Sequence, residues 1–343
     1  MNIYFFVQNG ARATTTLSEL ARVRNLVEAT DSFSMFAYAT QSGFAAFDLA
    51  FGQEFWEQTA TRWLFGIDYG RTQPQAIRAL CAKPNSAVRI HDGAWVVDQD
   101  GFLPRQDFHP KTSFLMRPDR ARIGMVAGSG NFSSNGLRQS IEAGTSIFID
   151  AEAGDDNFLE EGMAAADEYW DDATPAADIL DAYEEKWEDS FARSKNVLAD
   201  NQEIPGAKDI FWIETGYVTR NRGLDRPGNQ IDLPRGMSRY FGMNAPETLP
   251  LNSTIGAIRF LTPIGEPIER NLRLGNNAME KITLPIPETH GFDIYDGKVL
   301  VFRRSGNAFV LNALEASDFE ATFGDRLTAV MVMGSGRRFG HID

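Results

Sequence analysis

Short apolar runs alternate with a helical pattern along the first 150 residues. Seven runs have the length and composition of strands: MNIYFFVQNG, SMFAYAT, TRWLFGIDYG, SAVRI, FHPKTSFLM, ARIGMVAGS and TSIFID. PQAIRALCA predicts a helix that opens at Pro74, because proline suits the first helical turn. GAWVVDQDGFLP predicts a hairpin with its turn at Asp100 and Gly101. The alternation indicates an α/β domain in which helices flank a mixed sheet.

Helical spacing continues through an acidic segment, residues 155–197, on both sides of Pro175. Two apolar stripes mark the expected buried faces, formed by Leu159, Met163 and Ala166 and by Ile179, Tyr183 and Trp187. The pattern is that of two amphipathic helices with solvated acidic faces. Binding of a partner by these faces is a hypothesis.

From Asp209 onward the chain consists of short β-rich runs separated by Gly, Asn or Pro. These runs predict about seven strands and an all-β barrel or sandwich. Residues 198–208 have the composition of a linker. We therefore expect two domains, 1–197 and 209–343, each long enough for its own core.

The overall composition is that of a soluble globular protein, with 43% hydrophobic and 23% charged residues. No apolar run approaches the roughly 18 residues of a spanning helix, and the start lacks the features of a secretory signal. The single cysteine, Cys81, excludes an internal disulfide and a cysteine-based zinc site. We expect a cytoplasmic protein with no membrane partner.

The net charge of -14 is concentrated in one segment. Residues 1–150 contain 14 basic and 14 acidic side chains, residues 151–200 contain 3 and 16, and residues 201–343 contain 16 and 17. Either flanking region could therefore carry a local basic surface for nucleic acid.

The first candidate for chemistry is His109 with Lys111, since on a strand both side chains would project from one face. Alone, this pair fits a hydrated surface. The turn GSGN, which begins at Gly128 after a predicted strand, strengthens it. Such a turn can point backbone N–H groups and the side chains of Ser129 and Asn131 at an anion.

This order of motifs, H-x-K, then G-S-x-N, then a glutamate, resembles the phospholipase D superfamily. The match covers roughly residues 85–150 and places the motif positions at His109, Lys111, Ser129, Asn131 and Glu142. One position departs from the usual pattern, because Met116 stands where the superfamily has aspartate. Restriction endonucleases of the superfamily, such as BfiI, also lack that aspartate.

The resemblance implies a site that cleaves phosphodiesters. Lys111 and Asn131, helped by Ser129, would neutralise the non-bridging oxygens. His109 would attack phosphorus and form a covalent phosphohistidine, while Glu142 would accept the other ring N–H and fix the tautomer. No metal is expected, because the chain lacks the carboxylate cluster of a two-metal nuclease.

Superfamily sites use two histidines from two H-x-K motifs, and this chain has one such motif. His91, His290 and His341 have no lysine two residues later. We therefore expect a homodimer that brings two His109 side chains to one shared site on the two-fold axis.

Two polar loops in the β-rich half contain Arg, Asn and Gln, which suit base edges in a major groove. Residues 217–230 contribute Arg220, Asn221, Arg222, Arg226, Asn229 and Gln230. Residues 273–281 contribute Arg273, Asn276, Asn277 and Lys281. Either loop alone fits a solvated hairpin equally well.

The two halves together resemble the restriction endonucleases of the NgoFVII/NgoAVII (BfiI-like) type, in which a phospholipase D-like nuclease precedes a B3-like DNA-binding domain. GNQIDLP followed by YFG is similar to that C-terminal domain. The resemblance implies an all-β B3-like pseudobarrel at 209–343 and sequence-specific cleavage of double-stranded DNA. It also implies a helicase-like ATPase partner, through which ATP and Mg would be required, while this chain holds no cofactor itself.

Two alternatives stay open. A phospholipase D-type phosphodiesterase could act on lipid or another small diester, but it should show a membrane-binding stretch, which we do not find. A protein with a decayed site could only bind, but the motif set is complete except at Met116.

Overall fold

The computed structural model describes residues 1–343 except positions 100, 156–157, 192–208, 217, 221, 223–225, 247, 277–278 and 334–336. The chain divides into two compact units, Met1–Phe191 and Ala192–Asp343. The predicted linker, 198–208, and the predicted turn residue Asp100 lie outside the described residues.

Eight strands form a mixed sheet in the described part of the first unit. They are β1 Asn2–Gln8, β2 Asp31–Phe36, β3 Ala60–Phe65, β4 Ser86–Ile90, β5 Lys111–Met116, β6 Arg122–Gly128, β7 Glu142–Asp150 and β8 Thr174–Pro175. Their order in the sheet is β1-β7-β6-β5-β2-β3-β4-β8. β2, β3 and β4 run parallel to one another, and β5, β6, β7 and β1 continue the sheet in antiparallel pairs. The predicted mixed α/β sheet is confirmed.

Helices cover both faces of this sheet. They are α1 Thr16–Val27, α2 Gln41–Gln58, α3 Pro74–Cys81, α4 Gly93–Asp98, α5 Glu160–Asp172 and α6 Ala176–Phe191. A Cβ atom on Gly124 of β6 would meet Val23 of α1, whereas the neighbouring Ile123 packs in a cluster with Met163 and Trp170 of α5. Successive strand residues point to opposite faces, so α1 and α5 lie on opposite sides. No described helix is long and apolar enough to cross a bilayer.

The predicted hairpin after β4 is wrong, because Gly93–Asp98 forms α4. Lys186 of α6 donates to the carbonyls of Val96, at 2.7 Å, and Val97, at 3.2 Å, and to that of Gln99. These bonds satisfy carbonyls that the end of a short helix leaves open. A contact with a distant helix therefore overrides the strand preference of the two valines.

The two acidic helices are confirmed as α5 and α6, on either side of Thr174–Pro175. The predicted apolar stripes are buried at Met163, Ala166, Ile179 and Tyr183. The Tyr183 hydroxyl also donates to the carbonyl of Thr72 at 2.5 Å. The stripes pack against the rest of the first unit, and most of the acidic side chains of α5 and α6 remain at the surface.

The second unit contains one sheet of nine strands in its described residues. They are β9 Ile210–Glu214, β10 Gln230–Leu233, β11 Thr254–Leu261, β12 Ile268–Leu274, β13 Glu280–Thr283, β14 Val299–Ser305, β15 Ala308–Leu314, β16 Leu327–Val332 and β17 Arg338–Ile342. Two short helices, α7 Pro287–His290 and α8 Ala316–Phe323, accompany the order β10-β13-β12-β11-β15-β14-β9-β17-β16. The runs predicted as strands are IFWIETG, NQIDLP, TIGAIRFLT, EPIERNLRL, KITLPIP, KVLVFRRSG and AFVLNAL, and they correspond to β9 to β15. Sequence reasoning missed β16 and β17, which pair with each other.

We predict that Gly124→Ala destabilises the first unit by about 1–3 kcal/mol, because the new methyl group overpacks the contact between β6 and α1. Five of the six tryptophans lie in this unit, so tryptophan fluorescence during urea unfolding reports mainly on it. Gly101→Ala is the matched control, since a Cβ there meets no atom within 4 Å. Equal unfolding midpoints for the two variants would contradict the packing described here.

Candidate active site

Several strands of the first unit meet at one edge of its sheet. Thr112 of β5 pairs with Ala127 of β6, and Gly128 at the end of β6 pairs with Gly144 of β7. Lys111, the first residue of β5, pairs with the last residue of β2, so the carboxyl end of β2 lies at the same edge. Ligands of α/β sheets bind outside the carboxyl ends of the parallel strands.

His109 lies just before β5, which begins at Lys111. The strand thus begins two residues after His109, because Pro110 has no N–H with which to extend the ladder. Instead, the carbonyl of Pro110 accepts a hydrogen bond from the N–H of Ala37 at 2.9 Å. The His109 imidazole is exposed and makes no hydrogen bond to any residue that the structure describes.

Ser129 and Glu142 are in direct contact, as the hydroxyl of Ser129 donates to the Glu142 carboxylate. The N–H of Ala143 donates to the same hydroxyl oxygen at 3.1 Å. Burial lowers the pKa of the Lys111 amine, and the negative charge of Glu142 acts in the opposite direction. A half-buried cation therefore stands near this carboxylate, and we call these three side chains the Lys111–Ser129–Glu142 cluster.

The Lys111 ammonium donates to the backbone carbonyl of His109 at 2.9 Å, which joins the cluster to the histidine through the main chain. Among the described residues the Glu142 carboxylate makes no hydrogen bond to the His109 ring. Its expected role as the orienting partner of His109 therefore has no contact in this structure.

The turn that contains Asn131 is closed by glycine. A Cβ atom on Gly136 would lie 2.6 Å from the backbone nitrogen of Asn131, so only glycine fits there. The N–H of Phe132 donates to the carbonyl of Tyr38 at 3.2 Å, and its carbonyl accepts from Thr40 at 2.9 Å. Oδ1 of Asn131 is buried without a hydrogen-bond partner among the described residues. This oxygen can only accept hydrogen bonds, so any hydrogen bond from Asn131 to a phosphate oxygen comes from its NH2 group.

A pocket of about 260 Å³ opens beside His109. Its walls also include Met35 of β2, His91 after β4, and Tyr169 of α5. The cluster residues and Asn131 do not line it, so the structure places the five predicted catalytic residues in two neighbouring groups. Among the described residues, no group of three or more His, Cys, Asp or Glu side chains is placed to hold a metal ion.

Sequence reasoning assigned no role to His91 or Asp68, which lie at this same edge. His91 follows β4 directly, and Asp68 lies in the short turn after β3. Residues that follow neighbouring parallel strands converge at one edge of a sheet. This placement after predicted strands was the signal that could have identified them.

Basic side chains of the predicted DNA-binding loops in the second unit are partly engaged by carboxylates. Arg222 forms an ion pair with Glu288 at 3.0 Å, and Lys281 forms one with Asp232 at 2.8 Å. The half-buried Arg220 acts electrostatically on another carboxylate, that of Asp296. These charges are already balanced within the chain.

Other residues of these loops differ in their exposure. Arg273 donates to the side-chain oxygen of Gln230 at 3.3 Å, which brings the two loops together, and Asn229 is buried. Arg226 and Asn276 are exposed. Asn221 and Asn277 lie outside the described residues.

No family model matches the chain, and no curated protein matches it. Among solved structures, NucT from Helicobacter pylori is 13% identical with a TM-score of 0.34, over 51% of this chain and 99% of NucT. Nuc from Salmonella typhimurium, described as a phospholipase D family member, has the same identity and score over 51% of this chain and 98% of Nuc. A mutant of yeast tyrosyl-DNA phosphodiesterase 1 is 12% identical with a TM-score of 0.25, over 43% of this chain and 33% of that one.

We predict that Glu142→Gln lowers the pKa of Lys111 further. Burial already lowers this pKa, and the substitution removes the negative charge that opposes it. An NMR titration of isotopically methylated lysines measures the shift. Glu28→Gln is the control, because Glu28 instead contacts Arg122 and Arg117. An unchanged or raised Lys111 pKa in Glu142→Gln would remove the electrostatic link within the cluster.

Proposed function

We propose that the first unit hydrolyses phosphodiester bonds with His109 as the nucleophile. The observation that supports this most directly is the exposed imidazole of His109, which lines a pocket and makes no hydrogen bond to a described residue. A nucleophilic imidazole needs an accessible ring nitrogen. The half-buried ammonium of Lys111 at the same sheet edge suits an anionic substrate, because partial burial strengthens its attraction for phosphate oxygens.

The proposed reaction has two steps. A ring nitrogen of His109 attacks phosphorus, so a P–N bond forms while the P–O bond to the leaving oxygen breaks and that oxygen takes up a proton. Water then attacks phosphorus, the P–N bond breaks, and the proton lost by water replaces the one spent in the first step. Lys111, Ser129 and Asn131 supply the charge and hydrogen bonds that stabilise the non-bridging oxygens. The reaction needs no metal in this proposal.

We propose double-stranded DNA as the substrate and sequence-specific restriction as the activity. The exposed Arg226 and Asn276 supply the side-chain types that read base edges. The nine-stranded sheet would then serve as a B3-like pseudobarrel. The proposal also includes a homodimer and a helicase-like ATPase partner. The partner is the source of the requirement for ATP and Mg. The acidic faces of α5 and α6 are the proposed docking surface for the ATPase.

We predict that the protein cuts a long mixed-sequence plasmid into discrete fragments in EDTA, and that His109→Ala slows cutting by roughly 10³-fold or more through loss of the nucleophile. Gel electrophoresis measures the fragments. Leu103→Ala, an exposed position in the same loop, is the matched control and retains the wild-type rate.

A parallel reaction contains ATP, excess magnesium and the helicase-like partner. Cutting in this reaction alone would make the chain the nuclease subunit of a larger enzyme. Wild-type cutting by His109→Ala would overturn the assignment of the nucleophile. No cutting in either reaction, with hydrolysis of a lipid diester, would replace DNA by lipid as the substrate.

A further inference from the structure

His91 lies in the wall of the same pocket as His109. Its backbone N–H donates to the carbonyl of Phe65 at 2.9 Å, which fixes it at the ends of β3 and β4. Its ring stacks on Phe108, with centroids 4.7 Å apart and 19° between the planes, and Tyr169 meets it edge-on at 6.1 Å. Two aromatic contacts therefore hold the plane of the imidazole.

The Nε2 atom of His91 is buried and has no hydrogen-bond partner among the described residues. An unsatisfied buried polar group is destabilising, so most such groups have a partner in native proteins. A buried carboxylate oxygen that has no partner of its own would supply one. The two histidines of the second unit already have contacts of their own, because ring nitrogens of His290 and His341 lie 2.9 and 3.3 Å from the carbonyls of Ile286 and Ile210.

A buried carboxylate acts on His91 from the turn after β3. Asp68 is only 5% exposed; its Oδ2 accepts the N–H of Phe108 at 2.9 Å, and its Oδ1 has no partner among the described residues. Burial raises the pKa of Asp68, and the charge of His91 opposes that effect, so the two groups interact. A second carboxylate near His91, Asp92, is engaged by the guanidinium and backbone N–H of Arg105. Of these two carboxylates, Asp68 is therefore the one that still has an oxygen available to accept a hydrogen bond from the His91 ring.

We propose that His91, held by Asp68, is the acid and base for the leaving oxygen in the pocket of His109. One chain then supplies both imidazoles, so the hydrolysis itself no longer requires the two His109 side chains of the proposed homodimer. In the first step the proton of His91 goes to the leaving oxygen as its bond to phosphorus breaks. In the second step His91 takes a proton from the attacking water as the P–N bond breaks. This inference rests on the proposed phosphodiester hydrolysis.

The test compares substrates whose leaving groups differ in their need for a proton. DNA releases an alkoxide, which needs one, whereas bis(p-nitrophenyl) phosphate releases nitrophenolate, which does not. We predict that His91→Gln slows DNA cleavage by about 100-fold or more, as loss of a general acid does. The initial burst of nitrophenolate stays within roughly 3-fold of the wild-type rate, because formation of the phosphohistidine needs no acid with this leaving group.

The initial burst also shows that the variant is folded, since it requires an intact His109 site. Asp68→Asn, which keeps an acceptor for the Phe108 N–H, should show the same selective loss to a smaller degree. Equal losses with both substrates in a folded His91→Gln protein would indicate a structural role and overturn the proposal. DNA cleavage at the wild-type rate by His91→Gln would also overturn it.

Failure of the proposed function gives a different pattern. In that case the wild-type protein neither cuts DNA nor produces a burst, or His109→Ala retains both activities. Activity that requires His109 but not His91 would support the proposed hydrolysis and overturn the role of His91 as the second imidazole.

Discussion

The packing of Phe132 is the constraint on which the candidate site depends. Its ring is fully buried against Phe36, Trp63 and Phe65, with centroids 5.1 to 5.8 Å apart, and its backbone is bonded to the segment after β2. The turn before it contains Ser129 and Asn131, so this one residue fixes that turn to the ends of the parallel strands. Interiors are packed as densely as organic crystals, and the turn cannot shift without breaking the aromatic cluster.

Local patterns predicted the elements whose stability comes from their own sequence. SAVRI is β4 from its first residue to its last, and Pro74 opens α3 as expected. The acidic helices were predicted because their apolar stripes repeat at helical spacing. α4 was not predicted, since the lysine that satisfies its last carbonyls, Lys186, lies 90 residues after Val96. Residues this far apart leave no periodic signal in the sequence.

The same distinction applies to the site. The resemblance in motif order implied one site formed by His109, Lys111, Ser129, Asn131 and Glu142. The antiparallel pairing of β5, β6 and β7 brings Lys111, Ser129 and Glu142 together, without a contact between Glu142 and the His109 ring. The pairing of His91 with Asp68 depends on the order of β3 and β4 in the sheet and on the path of the loop before β5. Neither follows from the spacing of residues, because the order of parallel strands is decided by packing across the whole domain.

The loop that contains His109 is fastened at two points by residues outside it. Asp68 holds the N–H of Phe108 across 40 positions of sequence, and Asp92 holds Arg105 across 13. A transplant of residues 101–110 into another scaffold would therefore not reproduce the geometry unless both aspartates moved with it. For engineering, and for the divergence of related chains, the exchangeable module is this loop together with the turns after β3 and β4.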